Sequence, residues 1–478
     1  MSSSFFMSGG LGSHKAIKKG LKNHVCHLFL KLSFFSFHLI NDSPDIKSIT
    51  MLRKSPFPLC LFIALLLFIP RIADSQDKNW THFRGSSLNA ISVTDKIPLN
   101  WDESTTKWKT EIHGKGYSSP VVYDNQIWLT TGTPDGKELY AVCADFQTGK
   151  IIHDIKVITP EETIGKHSIN TFASPTPCIE KGFVYVHYGS LGTACIKTSD
   201  GSIVWKRTDL KCKHVQGPGS SPVIYKNLLI LHYEGTDVRF IIALDKKTGK
   251  EVWRTDRPVE PYKPLPNIGT KAYVTPLIIK VKGRDMLISN GSAVCCAYDP
   301  NTGEEIWQVV RGAESTVPMP FSENGIVYFY TGFMVDAESS NFTEMLAVNP
   351  DGKGDITATN VLWRKRDNQT QTQMLTPVIK DGLIYTSNTR NMIMCIDAKT
   401  GEEIWSERQR ANFNSSPVYA DGLVWFFSVR GDVIALKAGR KYEVIAENTM
   451  DSGIWGTPAI VRNSVILRTE KLLYKISK

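Results

Sequence analysis

The stretch CIDAKTGEEIW, Cys395 to Trp405, decides the fold because the chain repeats it. It returns as ALDKKTGKEVW at 243–253, as AYDPNTGEEIW at 297–307 and, more loosely, as CADFQTGKIIH at 143–153. The pattern is a small residue, Asp, two polar residues, Thr-Gly, and a Trp four positions after the Gly. Gly supplies the positive φ of a tight turn, and the Asp and Thr side chains can bond its free amides. Each copy therefore reads as a hairpin whose second strand carries a large ring.

A second element precedes each copy: a small or hydroxyl residue, Pro, then a short β-branched run such as SSPVVYDNQIWLTT (118–131) or SSPVYADGLVWFFS (415–428). Its prolines fall at 120, 175, 222, 276, 320, 377, 417 and 458. Self-similarity at that period means a propeller or a solenoid. Four short runs rich in Val, Ile, Tyr and Trp, separated by Asp, Gly and Asn turns, make each unit a four-stranded antiparallel blade. No stretch of 118–478 has helical periodicity. The expected fold is all-β, an eight-bladed β-propeller.

The eighth unit yields only three strands before the chain ends. TKWKTEI, 106–112, is a strand with a Trp and no Thr-Gly turn before it, so this N-terminal strand is expected to complete the last blade and close the ring, removing exposed edges. Trp108, Trp205, Trp253, Trp307, Trp363 and Trp405 then form a set of seam-covering rings, each worth roughly 2–3 kcal/mol when buried. His153 and Val444 are read as filling the slot in blades without Trp. The small position reads Cys143, Cys195, Ala243, Ala297, Ala347, Cys395 and Ala435, so its cysteines are packing residues standing in for Ala.

The N-terminal region is not part of the repeat. From Met51 two basic residues, an apolar run from Leu59 to Ile69 and Ala73-Asp74-Ser75 have the layout of a signal peptide, and the run is short for a span. Residues 51–76 are read as that leader, with an uncleaved anchor as the alternative and the only expected membrane contact. Residues 1–50 are read as an extension without a structural role. Cys60 opens the apolar run, the wrong order for lipid modification. Residues 1–76 carry nine Lys/Arg against three Asp, which accounts for +6 of the chain's +9 and leaves +3 for the rest. A balance that small argues against a nucleic-acid surface. Export to the periplasm or outside the cell is expected, as a monomer. The sequons at Asn79, Asn341 and Asn368 would matter only in a eukaryotic host.

These residues resemble the quinoprotein-like (PQQ-like) β-propeller family, whose tryptophan-docking repeat is the A-x-D-x-x-T-G-x-x-x-W pattern above. The resemblance covers 79–478 and includes NWTHFRG (79–85), similar to the entry segment of exported members; within the family the chain looks most like those related to the outer-membrane assembly propeller (BamB-like). The docking pattern is architecture and assigns no function. The family also contains dehydrogenases, which implies PQQ with Ca²⁺ as cofactors if the chain is an enzyme of that kind. The adjacent Cys295-Cys296 fit that reading, but they lie within a strand of the fourth blade, where two buried packing cysteines are the simpler reading. There is no C-x-x-C-H haem signal, and no Ca²⁺ ligands or base can be assigned, so no cofactor is expected.

Connections from each outer strand to the next inner strand fall on one face, around the central funnel. Three successive ones carry a His before the proline: His113, His167 and His214. Tyr117, Asn170, Phe172, Gln216 and Tyr273 lie near them, and later connections bring Glu314, Gln373, Phe413, Asn414 and Trp455. The three imidazoles are too widely spaced for a metal that needs ligands at about 2.1 Å, so a polar, aromatic binding mouth is expected and no metal. Basic runs at 211–214 and 363–367 read as solvated loops, and Arg84 as a structural clamp. Three functions follow: a non-catalytic scaffold for an envelope protein or polymer, a quinoprotein alcohol or sugar dehydrogenase, or a polysaccharide lyase or hydrolase using funnel His and Tyr.

Overall fold

The computed structural model describes residues 78–478 apart from 95, 312–315, 332–333, 336–340, 368–373 and 389. The leader, the extension, Glu314, Gln373 and Asn368 lie outside the described residues. The strands form eight sheets, one per repeat. Blade 1 runs from its inner strand Val121–Tyr123 through Gln126–Gly132 and Leu139–Asp145 to its outer strand Ile151–Ile158. The second and third strands are apolar on both faces because each sheet is covered by a neighbour on either side; Leu228–Glu234 is buried throughout. Outer strands alternate instead, as in Glu251–Asp256, where Trp253 is the buried member. Blades 4 and 5 depart from four strands. Gly354–Asp355 adds a short parallel strand to the blade 4 outer edge at Trp307 and Gln308, and Met334–Val335 pairs with Asn341–Val348 in blade 5. Among the described residues the helical turns are Glu260–Tyr262 and Asn267–Thr270.

The ring closes as the sequence implies. Thr106–Glu111 pairs antiparallel with Leu472–Ser477, giving the last blade its outer strand.

The repeated turn joins third and outer strands. In blade 3, Asp245 Oδ1 accepts the Thr248 amide at 2.9 Å and its hydroxyl at 2.8 Å. The Thr248 hydroxyl bond leads the causes that hold the Asp245 carboxyl below its usual range. Gly249, at φ +71, has a second duty: a Cβ there would lie 2.7 Å from the Trp205 ring of the preceding blade. Trp205 Nε1 donates to the Lys246 carbonyl at 2.9 Å. The same bond to the next blade's turn recurs from Trp108 to Phe146, Trp253 to Pro300, Trp307 to Pro350, Trp363 to Ala398 and Trp405 to Gly439, at 2.9–3.3 Å. His153 replaces it in blade 1 with a 3.3 Å contact to the Thr198 carbonyl.

Val444 does not occupy the slot in blade 7. The bulge in that hairpin sets Ala446 opposite Ala435, while Val444 pairs with Leu436 and is exposed. Ala446 cannot reach across, and Trp101 fills the seam from outside by stacking on buried Trp425, with centroids 5.6 Å apart and planes at 12°.

The hydroxyl-Pro element closes the ring near the axis. Ser119 N donates to Thr176 Oγ1, Thr176 N to Ser221 Oγ, and Ser221 N to Thr275 Oγ1. The series resumes from Met319 N to Thr376, Thr376 N to Ser416, Ser416 N to Thr457 and Thr457 N back to Ser119, all at 2.9–3.0 Å. Met319, which has no hydroxyl, is where the belt is interrupted. The belt also corrects the reading of blade 2: its inner strand, Cys178–Glu180, follows Pro177. Pro175 lies earlier, its carbonyl accepting from Thr130 Oγ1.

The segment 79–92 crosses the axial channel. Trp80 exchanges two 2.8 Å backbone bonds with Val122; Ile179 N donates to Thr81 O; and Tyr419 bonds Ala90 and Ser92. His82 Nε2 accepts the Ile224 amide at 3.2 Å. Buried Arg84 donates to the Thr376 and Pro377 carbonyls of blade 6, each at 2.7 Å. Arg84 is thus a clamp, and the segment ties blades 1, 2, 3, 6 and 7 together. Asn79 is engaged too, its Oδ1 accepting from the Asp124 amide and Arg462.

Candidate functional site

The plug meets the inner strands from the side of the first hairpins, where Arg462 donates to the Lys78 carbonyl. The funnel face is opposite, formed by outer-to-inner connections and by turns between second and third strands. The candidate residues there separate into groups. His113 is not in the funnel: its imidazole bonds Asp154 on the outer strand of blade 1 at 2.9 Å and meets the Tyr140 ring edge-on, so it sits on the rim. Strand Thr106–Glu111 is outermost in its blade, and after buried Ile112 the chain brings His113 back to the outside.

The second connection folds against the third. Asn170 Nδ2 donates to the Gln216 and Pro218 carbonyls at 2.8 and 3.1 Å, His167 N donates to Gln216 O, and the Gln216 amide donates to the Tyr273 hydroxyl at 3.2 Å. Phe172 is buried over Gly136, where a Cβ would come within 2.7 Å of the ring. His167 is exposed. His214 is buried between Tyr233 and Tyr273, and burial lowers its pKa to about 4, so it is neutral. Its Nδ1 finds no hydrogen-bond partner. Phe413 is a core residue packed on Phe426, and Asn414 is half-buried beside it.

Tyr117 and Trp455 form the clearest surface feature. Their rings stack at 4.6 Å and 5°, half-buried, with Trp455 Nε1 donating to Glu470 at 3.1 Å. Burial first, then Glu470, raises the Tyr117 hydroxyl to about 12, so it is a neutral phenol. Beside it Arg468 is buried and donates to Thr130 O at 2.7 Å.

One cluster was not singled out in the sequence. Glu234, fully buried in blade 3, bonds His232 at 2.9 Å, Tyr262 at 2.8 Å and the Ser292 amide at 2.7 Å, with Arg257 at 3.2 Å. Burial alone would push this carboxyl up; Arg257 and His232 outweigh it and hold it at about 2. Arg257 also donates to Ser289 Oγ of blade 4, so the cluster locks the 3–4 seam. Its signal was the polar pair His232-Tyr-Glu234 interrupting an apolar strand.

Cys295 and Cys296 are free and buried. As strand neighbours they face opposite seams, Cys295 packing with Met319 and Phe329 and Cys296 with Ile230 and Trp253. That is not the arrangement a cysteine pair lying against a quinone ring requires. The buried carboxylates of this sector are engaged by cations, Glu234 as above and Glu344 by Arg364 and Arg366. Among the described residues no group of three His, Cys, Asp or Glu is placed to hold a metal ion.

The model of the family described as "Outer membrane protein assembly factor BamB" matches at 162–319, 239–353 and 352–442, more than half of the chain. The chain belongs to the BamB-like family of PQQ-like β-propellers. No curated protein sequence matches it. Among solved structures, this BamB-like chain is similar to BamB from Moraxella catarrhalis at 11% identity and TM-score 0.53, covering 78% of this chain and 99% of that one. It is similar to the computationally designed Ika8 protein at 13% identity and TM-score 0.52, with the same coverage. A europium-containing methanol dehydrogenase matches at 11% identity and TM-score 0.51, covering 84% of this chain and 90% of that one. At such identities the likeness is one of fold. That a designed protein shares it with an assembly factor and a dehydrogenase underlines that the BamB-like fold does not fix chemistry.

Proposed function

We propose that this BamB-like propeller is an exported, non-catalytic scaffold that presents its funnel face to an envelope protein or polymer. The observation that supports the reading is the plug. Residues 79–92 bridge the inner strands of five blades, so a ligand approaching along the axis meets the funnel face alone. On that face the candidate residues are engaged in packing the connections, and the half-exposed Tyr117–Trp455 stack is a contact surface. The family's description as an assembly factor agrees with a binding role and an envelope location. In this reading the protein needs no cofactor.

The test is purification of the full chain from its native envelope fraction, scored for a stoichiometric partner and for bound quinone. A partner without quinone is expected. Dye reduction by alcohols or sugars after adding PQQ and Ca²⁺ would replace the scaffold with the dehydrogenase. Glycan cleavage lost in His167→Ala or His214→Ala would replace it with a lyase or hydrolase.

A further inference from the structure

The funnel face is not electrostatically even. Four arginines separated in sequence are gathered over blades 6 and 7: Arg390 in a second-to-third-strand turn, Arg408 and Arg410 at the end of the blade 6 outer strand, and Arg430 in the corresponding turn of blade 7. Backbone bonds hold these segments together. Gln409 N donates to Asn391 O at 2.6 Å, and Val429 N donates to Asn412 O at 2.9 Å. Arg408 Nη1 reaches the Arg390 carbonyl at 3.4 Å. All four arginines are exposed.

Elsewhere on the disc exposed Arg254 and Arg440 are neutralised by Asp256 at 3.3 Å and Asp397 at 2.8 Å, as is half-buried Arg207 by Asp209 at 2.6 Å. Arg408, Arg410 and Arg430 make no ion pair with a carboxylate among the described residues. The acids nearby are Glu407, Asp432, Glu470 and Asp451, the last bonded by the Tyr474 hydroxyl at 2.9 Å. Asp432 is already bonded by the Ser428 hydroxyl and Glu470 by the Trp455 indole.

The arc continues into the aromatic stack. Ile454 N donates to Ser428 O at 3.0 Å, which sets Trp455 beside the turn that carries Arg430. Trp455 lies flat on Tyr117, and Lys115 Nζ stands 5.7 Å from the Tyr117 ring. Guanidinium forks match carboxylate and sulfate oxygens, and flat rings accept the C–H faces of sugars. An acidic peptide would use the arginines and leave the stack without a role. We infer that the arc from Arg408 through Arg410 and Arg430 to Trp455 and Tyr117 binds an acidic polysaccharide, its anionic groups on these guanidiniums and a sugar ring on the aromatic pair.

This inference rests on the scaffold reading and names its partner class. The test uses the full chain and polygalacturonate, with dextran, poly-glutamate and a single-stranded oligonucleotide as comparison ligands, at 50 and 200 mM NaCl. Polygalacturonate is expected to bind most tightly and to weaken with salt. Arg410→Ala/Arg430→Ala should lose at least tenfold in affinity and most of the salt dependence, with unchanged melting temperature. Trp455→Ala should weaken binding at both salt concentrations and keep the salt dependence. No saturable binding of polygalacturonate, equal binding by the double variant, or equal affinity for poly-glutamate or the oligonucleotide overturns the inference. If the double variant still co-purifies its envelope partner, the scaffold reading survives and this inference fails.

Discussion

Gly303→Ala separates the two duties of the repeated glycine. Gly303 is at φ +76, and a Cβ there would stand 2.5 Å from Cε3 of Trp253. The left-handed backbone costs about 1–2 kcal/mol for a residue with a Cβ. Displacing a packed indole by most of an ångström adds about 1–3 kcal/mol. The expected loss is therefore about 2–5 kcal/mol in the native background. In Trp253→Ala, itself destabilised by about 3–5 kcal/mol, the backbone cost and the 2.8 Å approach to the Thr255 hydroxyl should remain while the ring clash is lost, leaving a coupling of about 1–3 kcal/mol. Gly382, at the same φ with nothing near its Cβ position, is the control: Gly382→Ala should lose only about 1–2 kcal/mol in either background. Urea unfolding midpoints of the four variants in the cycle measure this. If Gly303→Ala costs the same with and without the Trp253 ring, the glycine is a turn residue alone and the seam argument is wrong.

Acid should destabilise the disc before its carboxylates titrate. Burial holds His82, His187 and His214 at pKa values of about 4, 3 and 4. Being lower in the fold than when unfolded, they favour the folded state fully above pH 6.5 and progressively less as pH falls toward those values. At pH 5 the loss is about 2 kcal/mol for each; a melting temperature flat from pH 7.5 to 5 would contradict this. The depressed Glu234 adds a second loss between about pH 4.5 and 2. The thiols from Cys143 to Cys395 are buried, and burial raises Cys195, Cys296 and Cys395 to about 12. Alkylation mapped by mass spectrometry should find them unmodified in the native protein and all modified in denaturant. Thr376→Val should cost about 1–3 kcal/mol by stranding the Met319 amide, and Thr376→Ser should restore the loss; equal thermal stability of Val and Ser variants would remove the belt from the energetics.

The repeat was legible because a hairpin is local: Asp, Thr, Gly and Trp within eleven residues specify turn, register and seam at once. Ring closure was legible for the same reason, since Thr106–Glu111 lacks a hairpin partner of its own. Errors arose where counting replaced register. ASPTP offers two prolines, and only the strand following Pro177 shows which begins the blade. Val444 was misplaced because the blade 7 turn is lengthened around Gly439, which shifts the slot to Ala446. The funnel was harder to read. His113 was assigned by its distance from a proline, yet its partner Asp154 lies on an outer strand. Arg84 could be read as a clamp from its segment, but neither its blade 6 partners, Thr376 and Pro377, nor the arginine arc is encoded in any local pattern, since both join segments far apart in the chain.

Glu111 and Leu472 stand directly opposite each other across the pairing of the first and last strands. Glu111→Cys/Leu472→Cys, oxidised mildly as monomer and then cleaved in the backbone between them, tests the closed ring. A closed eight-bladed disc predicts terminal fragments joined by one intramolecular disulfide, with a raised melting temperature. Free thiols, or bridging only between molecules, would mean that the two ends of the chain do not share a blade.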